Sequence, residues 1–560
     1  MKKINILSLV LLLLLSGSCK ESFLEETPSA FLSTGNAFRT ASDFNASINN
    51  LYGSVRAEFF SRSDWQPMHY LYRTDLGIEV TVGGNPNLSA EFGPSGTLPN
   101  NHWNQIYKIV SDANTIISRI PASALSDTDK VLFEAKARFF RGFAYRTLAY
   151  LWGGVPLITE EIIAERTDFT RATKKEVLAQ VIEDLKFAAT NLPGITVVRD
   201  GEVSNLAAQH LLSEVYLADG QFKNAADAAT VVIDDAATGL MLNRFGSRST
   251  VTPGDVYWDL FQTGNQNRKA ANNREAIWVI QFETDVQGGG ATSTAQAGSF
   301  LMERVHVPLF RDMRVNGVPL FQWPVGDYTG GRGVGFLQPS RYFADSVWKS
   351  DFNTDIRNAN HNFVREVVAT NPASPFFGKV ISTQNPPAGS GVTYPSRVFY
   401  PYQSKATTPF NHPIGLYVNP GSSDPVKKYE LKSSAGGTYA DQYMFRLAET
   451  YLLRAEAYLG LGNQASAAAD INVVRARAKA SPVSPGNVTL DYILDERLRE
   501  LGVEEKRMLT LMRTDKLVDR VTRLNPFYGV NMQPHFKLWA IPQGEIERNR
   551  SAKLEQNPSY

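Results

Sequence analysis

The chain has 560 residues, with 57 Lys and Arg against 56 Asp and Glu, for a formal net charge of +1. That balance, without a basic block, excludes the electrostatic footprint of a nucleic-acid binder. An apolar share of 43% and a charged share of 20% exclude a disordered chain and allow a large core, or two lobes.

The first residues read as a targeting segment. Lys2 and Lys3 precede an almost continuous apolar run from Ile4 to Leu15, and Ser16, Gly17 and Ser18 lead to Cys19. Basic, apolar, then small is the order of a secretory signal. Cys19 is the only cysteine, so no disulfide can form within the chain. Its position resembles that of the lipidated cysteine of bacterial lipoproteins, with cleavage before it; Ser16 stands where the strict pattern favours Leu. Residues 1–18 are therefore expected to be removed. Residues 19–40, polar and Pro-containing, are expected to form a lipid-anchored tether.

Residues 41–240 read as helical. Phe44, Ile48, Leu51 and Tyr52 open the periodic pattern. Gly, Pro, Asn and Ser then dominate residues 83–101, which predicts a long loop. Trp103, Ile106, Tyr107, Val110, Asn114 and Ile117 restore the helical period. Residues 135–158, AKARFFRGFAYRTLAYLWGGVPLI, are the centre of this part. Phe139, Phe143, Leu148, Leu151 and Trp152 give a broad apolar face, while Arg138, Arg141 and Arg146 exclude a membrane span. Gly153, Gly154 and Pro156 end the helix. Another amphipathic helix runs from Thr173 to Leu192 and stops at Pro193.

A repeat follows. Within residues 206–233 and 447–474 a fixed offset pairs Leu211 with Leu453, Glu214 with Glu456 and Tyr216 with Tyr458. Gly220 then meets Gly462, and Ala225 and Ala226 meet Ala467 and Ala468. Helix, Gly turn and a small-residue helix resemble a tetratricopeptide unit. One such pair cannot bury its own face, so several must stack. Between the copies lies a loop-rich insertion, residues 241–440. Gly, Pro, Asn and Ser punctuate it, and only short strand-like runs appear, such as Ala276–Phe282 and Arg397–Tyr400. Long loops on a helical scaffold are where binding function concentrates. Residues 441–560 return to helix, notably over Asp491–Arg513, and complete the scaffold.

Taken together, several stretches carry a resemblance. They are SFLEETP after Cys19, WNQIYKIVSDANTII, RFFRGFAYRTLAYLWGGVPLI, both helical pairs, DERLRELGVEEKRMLTLMR and IPQGEIERNRSAKLEQNPSY. In this order they resemble the RagB/SusD family of outer-membrane nutrient-binding lipoproteins. Family members usually carry Gly and then Arg-Trp after the acidic residues of the late helix; this chain has Lys506, Arg507 and Met508. The resemblance implies a mainly α, tetratricopeptide-like scaffold with a loop-rich insertion containing short strands. It implies a protein that presents glycan to a SusC-like TonB-dependent transporter. It also implies attachment to the outer membrane through lipid on Cys19, facing the cell exterior. A peptide-capturing member of the family and a non-catalytic envelope scaffold are the alternatives.

Nothing in the sequence adds a catalytic centre. The seven histidines, at 69, 102, 210, 306, 361, 412 and 535, show no metal-ligand spacing, and no G-x-S-x-G elbow occurs. The Gly330–Gly335 run lacks a P-loop lysine. Asp495, Glu496, Glu500, Glu504 and Glu505 alternate with Arg497, Arg499, Lys506 and Arg507, as in an ion-paired helix face. No enzyme, metal or cofactor is expected.

A sugar ring offers apolar C–H faces to aromatics and hydroxyls to planar polar groups. Three loops carry both. The first holds Trp323, Asp327, Tyr328 and Arg332; the second holds Trp65, with Arg73 and Asp75 soon after; the third holds Asn101 and His102. Trp103, Trp152 and Trp278 sit in apolar patterns and are assigned to the core.

Overall fold

The computed structural model describes residues 38–560 apart from 61–64, 81–86, 297 and 324. The signal segment, Cys19 and nearly all of the tether lie outside the described residues.

The central helix spans Asp127–Trp152. Ser126 caps it by accepting from the Asp129 N–H, and Gly153 closes it at φ 74°. It packs against the helix Thr97–Arg119 on one side and Lys174–Asn191 on another. Gly142 permits the second contact, since a Cβ there would lie 3.1 Å from Leu185 Cγ. Two arginines of this helix, Arg141 and Arg146, are buried rather than solvated. Arg141 donates to both Asp184 oxygens at 2.8 and 2.7 Å and to Asn114 Oδ1 at 3.0 Å. Arg146 pairs with Glu214 at 3.2 Å.

The two repeats are helical hairpins: Asn205–Ala218 with Phe222–Ile233, and Leu447–Gly460 with Gln464–Arg477. Gly220 and Gly462 take φ 73° and 74° in the turns, a conformation that favours glycine. Leu217, Ala225, Ala226, Leu453 and Ala457 form one buried cluster where the hairpins stack. The repeated carboxylates each capture an arginine of a neighbouring helix: Glu214 takes Arg146, and Glu456 takes Arg513 at 2.7 Å.

Strand Ala276–Ile280 leaves the insertion to pair antiparallel with Gln442–Arg446. Its Trp278 joins Phe139, Phe143 and Phe445 in a ring cluster, with Trp103 and Trp152 nearby in the same core. Among the described residues every sheet has two strands, so the fold is mainly α, with the insertion held by short ladders.

Three local expectations are corrected. The early loop is shorter than its composition suggests, because Leu88–Phe92 is helical and Gly96 starts the next helix at Thr97. Arg397–Tyr400 is not a strand. The Arg397 carbonyl is taken by the Leu309 N–H at 2.7 Å, and Phe399 and Tyr400 turn into a second core; Tyr402–Gln403 pairs instead, with Phe363–Val364. Asp491–Arg513 is not one helix, since Gly502 at φ 48° separates Leu490–Glu500 from Arg507–Arg513.

The acidic run is ion-paired, as expected, but buried. Glu500 meets Arg357 at 3.0 Å and Arg446 at 2.5 Å, and also pairs with Arg477. Glu496 meets Arg357 at 2.8 Å and Arg475 at 2.7 Å. Burial alone would raise Glu496; Arg357, Arg499 and Arg475 instead hold it down at about 2. Arg357 belongs to the insertion, Arg446 ends the strand Gln442–Arg446, and Arg475 and Arg477 lie in the helix Gln464–Arg477, so this network joins the insertion to the C-terminal part. The unusual Lys506-Arg507-Met508 is also core: Met508 is buried, and Arg507 bridges Asp75 at 2.7 Å and Glu505 at 3.0 Å.

Candidate functional site

The second core, built from Val307, Phe310, Phe321, Phe399, Tyr402 and neighbours, supports the first predicted loop. Phe321 points inward, with its ring 4.9 Å from Phe310. Two residues on, Trp323 points outward and is 51% exposed. Arg311 and Arg332 each stand over its ring, 5.7 and 5.9 Å from the centroid. The indole therefore has open apolar surface framed by cations.

The loop then tightens. Gly330 and Gly331 take φ 84° and 104°, and a Cβ on them would strike the Tyr402 hydroxyl and the Glu303 carboxylate, respectively. Glu303 is the hub. It accepts from the Arg332 N–H at 3.1 Å and faces His412 Nε2 at 3.0 Å. On its other side, His412 Nδ1 lies 2.7 Å from Asp327 Oδ1, an ion pair by distance rather than an aligned hydrogen bond. The Tyr417 hydroxyl donates to Asp327 Oδ2 at 2.5 Å. Burial would lower His412, but Glu303 and Asp327 raise it to about 10, so it is an imidazolium between two carboxylates. Asp327 is thus corrected from an exposed ligand contact to a buried positioning group. Tyr328 lies in the short turn Asp327–Thr329; its side chain is outside the described residues. Arg332 is only 9% exposed.

The second predicted loop divides. Trp65 is 42% exposed and stacks on Phe336, with centroids 5.5 Å apart and planes 4° from parallel. Arg397 covers Phe336 at 4.6 Å. Arg73 and Asp75, in contrast, are buried. Arg73 pairs with Glu79 and Glu91 and lies over the Tyr72 ring at 3.6 Å. Asp75 accepts from Arg507 at 2.7 Å and from Arg520 at 2.6 Å. Burial would raise it, yet these guanidiniums hold it at about 2. Neither side chain has a face left for a ligand.

The third candidate is helical, not loop. Asn101 is exposed near the start of the Thr97–Arg119 helix. His102 is buried, pairs with Glu58, and lies 2.9 Å from His69 Nδ1 and 3.2 Å from the Tyr70 hydroxyl. It is a packed polar core, and the expectation of a ligand contact there is withdrawn.

Sequence reasoning missed a groove of about 200 Å³ lined by Arg341, Asp345, Gln384, Tyr394 and Tyr400. Arg341 lies over the Tyr394 ring at 4.2 Å, and Gln384 donates to Asp345 at 2.6 Å. The Tyr400 hydroxyl is buried with no partner among the described residues. These residues are too far apart in sequence to announce themselves. Among the described residues, no group of His, Cys, Asp and Glu is arranged to hold a metal ion.

Comparison with known proteins places this geometry. A model of the SusD family matches residues 274–560, just over half of the chain, and one described as "starch-binding associating with outer membrane" matches residues 23–217. SusD-like protein P25 of Formosa agariphila is 24% identical over 98% of this chain and 97% of its own length. The solved structure of a laminarin binding SusD-like protein superposes with a TM-score of 0.65 at 21% identity, covering 93% of this chain and 100% of that one. Surface glycan-binding protein A from Bacteroides thetaiotaomicron, solved with laminarihexaose, gives a TM-score of 0.65 at 18% identity over 92% of this chain and 99% of that one. The folds agree over nearly the whole length, and the chain belongs to the SusD family.

Proposed function

We propose that this protein captures oligosaccharide at the cell surface, on the face around Trp323, and passes it to a SusC-like TonB-dependent transporter. It binds without catalysis. The observation that carries the reading is a half-exposed indole on a loop whose underside is locked by Phe321, Glu303, His412 and Asp327. A rigid exposed ring is what stacking on a sugar needs. The Trp65–Phe336 stack and the Tyr394 groove offer further rings of the same kind. Two of the solved relatives, the laminarin binding SusD-like protein and the surface glycan-binding protein A, support the same ligand class.

Trp323→Ala is the test. One stacked ring contributes about 1 kcal/mol, so affinity for the bound polysaccharide falls about fivefold. Affinity electrophoresis across a polysaccharide panel reads the loss, while melting temperature stays unchanged. A variant that still binds and melts lower would make Trp323 a packing residue.

Anchoring is the second part of the reading. Among the described residues no helix is long and apolar enough to cross a membrane. The tether to the outer membrane is lipid on Cys19, which follows the apolar run and small residues of the leader, on the exterior side. Labelled palmitate enters the wild type and not Cys19→Ala; equal labelling of both would remove the anchor.

A further inference from the structure

The Trp323 face gathers four guanidiniums, and one of them, Arg332, has no carboxylate partner among the described residues. Arg311 and Arg332 each stand over the indole, at 5.7 and 5.9 Å. Arg304 and Arg397 join them through Val334: the Arg304 carbonyl accepts from the Val334 N–H at 2.7 Å, and the Arg397 guanidinium donates to the Val334 carbonyl at 3.1 and 2.8 Å. A Cβ on Gly436 would lie 3.3 Å from Arg304 Cβ and 3.4 Å from the Arg332 carbonyl, so these segments meet in one place. Burial lowers Arg332, and the charges of Arg304 and Arg311 lower it further. Arg397 is lowered by burial as well, with Arg311 and Arg304 opposing the help of Tyr400 and Asp312.

The carboxylates near Arg332 among the described residues are already committed. Glu303 and Asp327 hold His412 between them, and Asp312 makes a loose surface pair with Arg311 at 3.5 Å. The side chain of Arg332, nine-tenths buried, makes no hydrogen bond or ion pair with any described residue, and its Nε is sealed from solvent without a partner. Elsewhere the same chain does the opposite. Arg357, Arg446, Arg497, Arg507 and Arg520 are buried, and each faces carboxylates within 3.0 Å. A buried cation without a counter-charge is costly, and a ligand that supplies the charge removes the cost. The cluster is also local, because the whole chain carries a net charge of only +1.

We infer that the glycan bound at Trp323 is anionic, carrying sulfate esters or uronate carboxylates. The inference rests on the reading of this face as the glycan site. A guanidinium fork matches the paired oxygens of either group. The indole would take the C–H face of the ring that bears the group, and Arg311 and Arg332 would take its charge.

The test uses purified protein with three polysaccharide classes: neutral laminarin, polygalacturonate as the carboxylate probe, and κ-carrageenan as the sulfate probe. Binding is measured by calorimetry from low to high sodium chloride. The expected result is binding to one or both acidic probes, weakening with salt as exposed charges are screened. Arg332→Gln lowers that affinity about tenfold, Arg332→Lys retains part of it, and both melt like the wild type. Arg199→Gln, a charge removed from an exposed arginine elsewhere, changes nothing. Salt-independent binding to laminarin alone, lost in Trp323→Ala and kept in Arg332→Gln, overturns the anionic class and leaves the glycan site standing. Failure of all three probes to bind overturns both.

Discussion

Leu453→Asp unfolds the helical scaffold. Leu453 is 0% exposed and lies where the second hairpin stacks on Leu217, Ala225 and Ala226 of the first. The small residues opposite leave no cavity for a hydrated carboxylate and supply no counter-charge. Loss of the leucine contacts and burial of an unpaired charge together cost about 4 kcal/mol or more. That is a large part of the roughly 5–15 kcal/mol by which folded domains are stable. Thermal melting followed by circular dichroism should show a much lower transition, or no cooperative one. A melt equal to that of the wild type would show that the hairpins do not stack through this face.

Glu500→Ala should be comparably severe for a different reason. Its carboxylate is buried among Arg357, Arg446 and Arg477. Removing it leaves three guanidiniums facing one another, with Glu275, Glu496, Glu504 and Asp355 as the remaining counter-charges. Breaking a buried ion pair at one partner costs about 3–5 kcal/mol. The damage should centre on the junction between the insertion and the late helices, so limited proteolysis should cut near Asp351–Arg357 before the repeats. Resistance equal to the wild type would mean that the other carboxylates suffice. Burial pushes the Glu500 pKa up, but the three arginines win and hold it well below the ordinary 4.5. A depressed carboxylate stabilises the fold above its unfolded value, so this contribution is present at neutral pH and is lost as pH falls below about 4.5.

The helical scaffold was legible because its signals are local. Thr173 with Glu176 forms the capping box that starts one helix, and Gly153 ends another. The tetratricopeptide-like pairing showed through the fixed offset between Leu211 and Leu453. The candidate site was legible only at its exposed ends, Trp323 and Trp65, where an aromatic stands in a loop. Asp75 and His102 misled because local sequence cannot show burial: their partners, Arg507 and Arg520 for one and Glu58 and His69 for the other, come from distant segments or facing helices. Asp327 misled for the same reason, since His412 and Tyr417 reach it from 85 to 90 residues away. Glu303, the hub of that lock, sits in a five-residue helix with no motif around it.

The stacking of the two hairpins also bears on how the chain is made. The small-residue face of Phe222–Ile233 finds its cover in Leu447–Gly460, more than 200 residues later. Closing so long a loop is entropically costly, and contacts of such separation form late. Until synthesis reaches the second hairpin, the first carries an uncovered apolar surface around Leu217 and Ala225. A nascent or truncated chain ending before Leu447 therefore exposes an apolar face that the finished protein hides, and such surface favours aggregation.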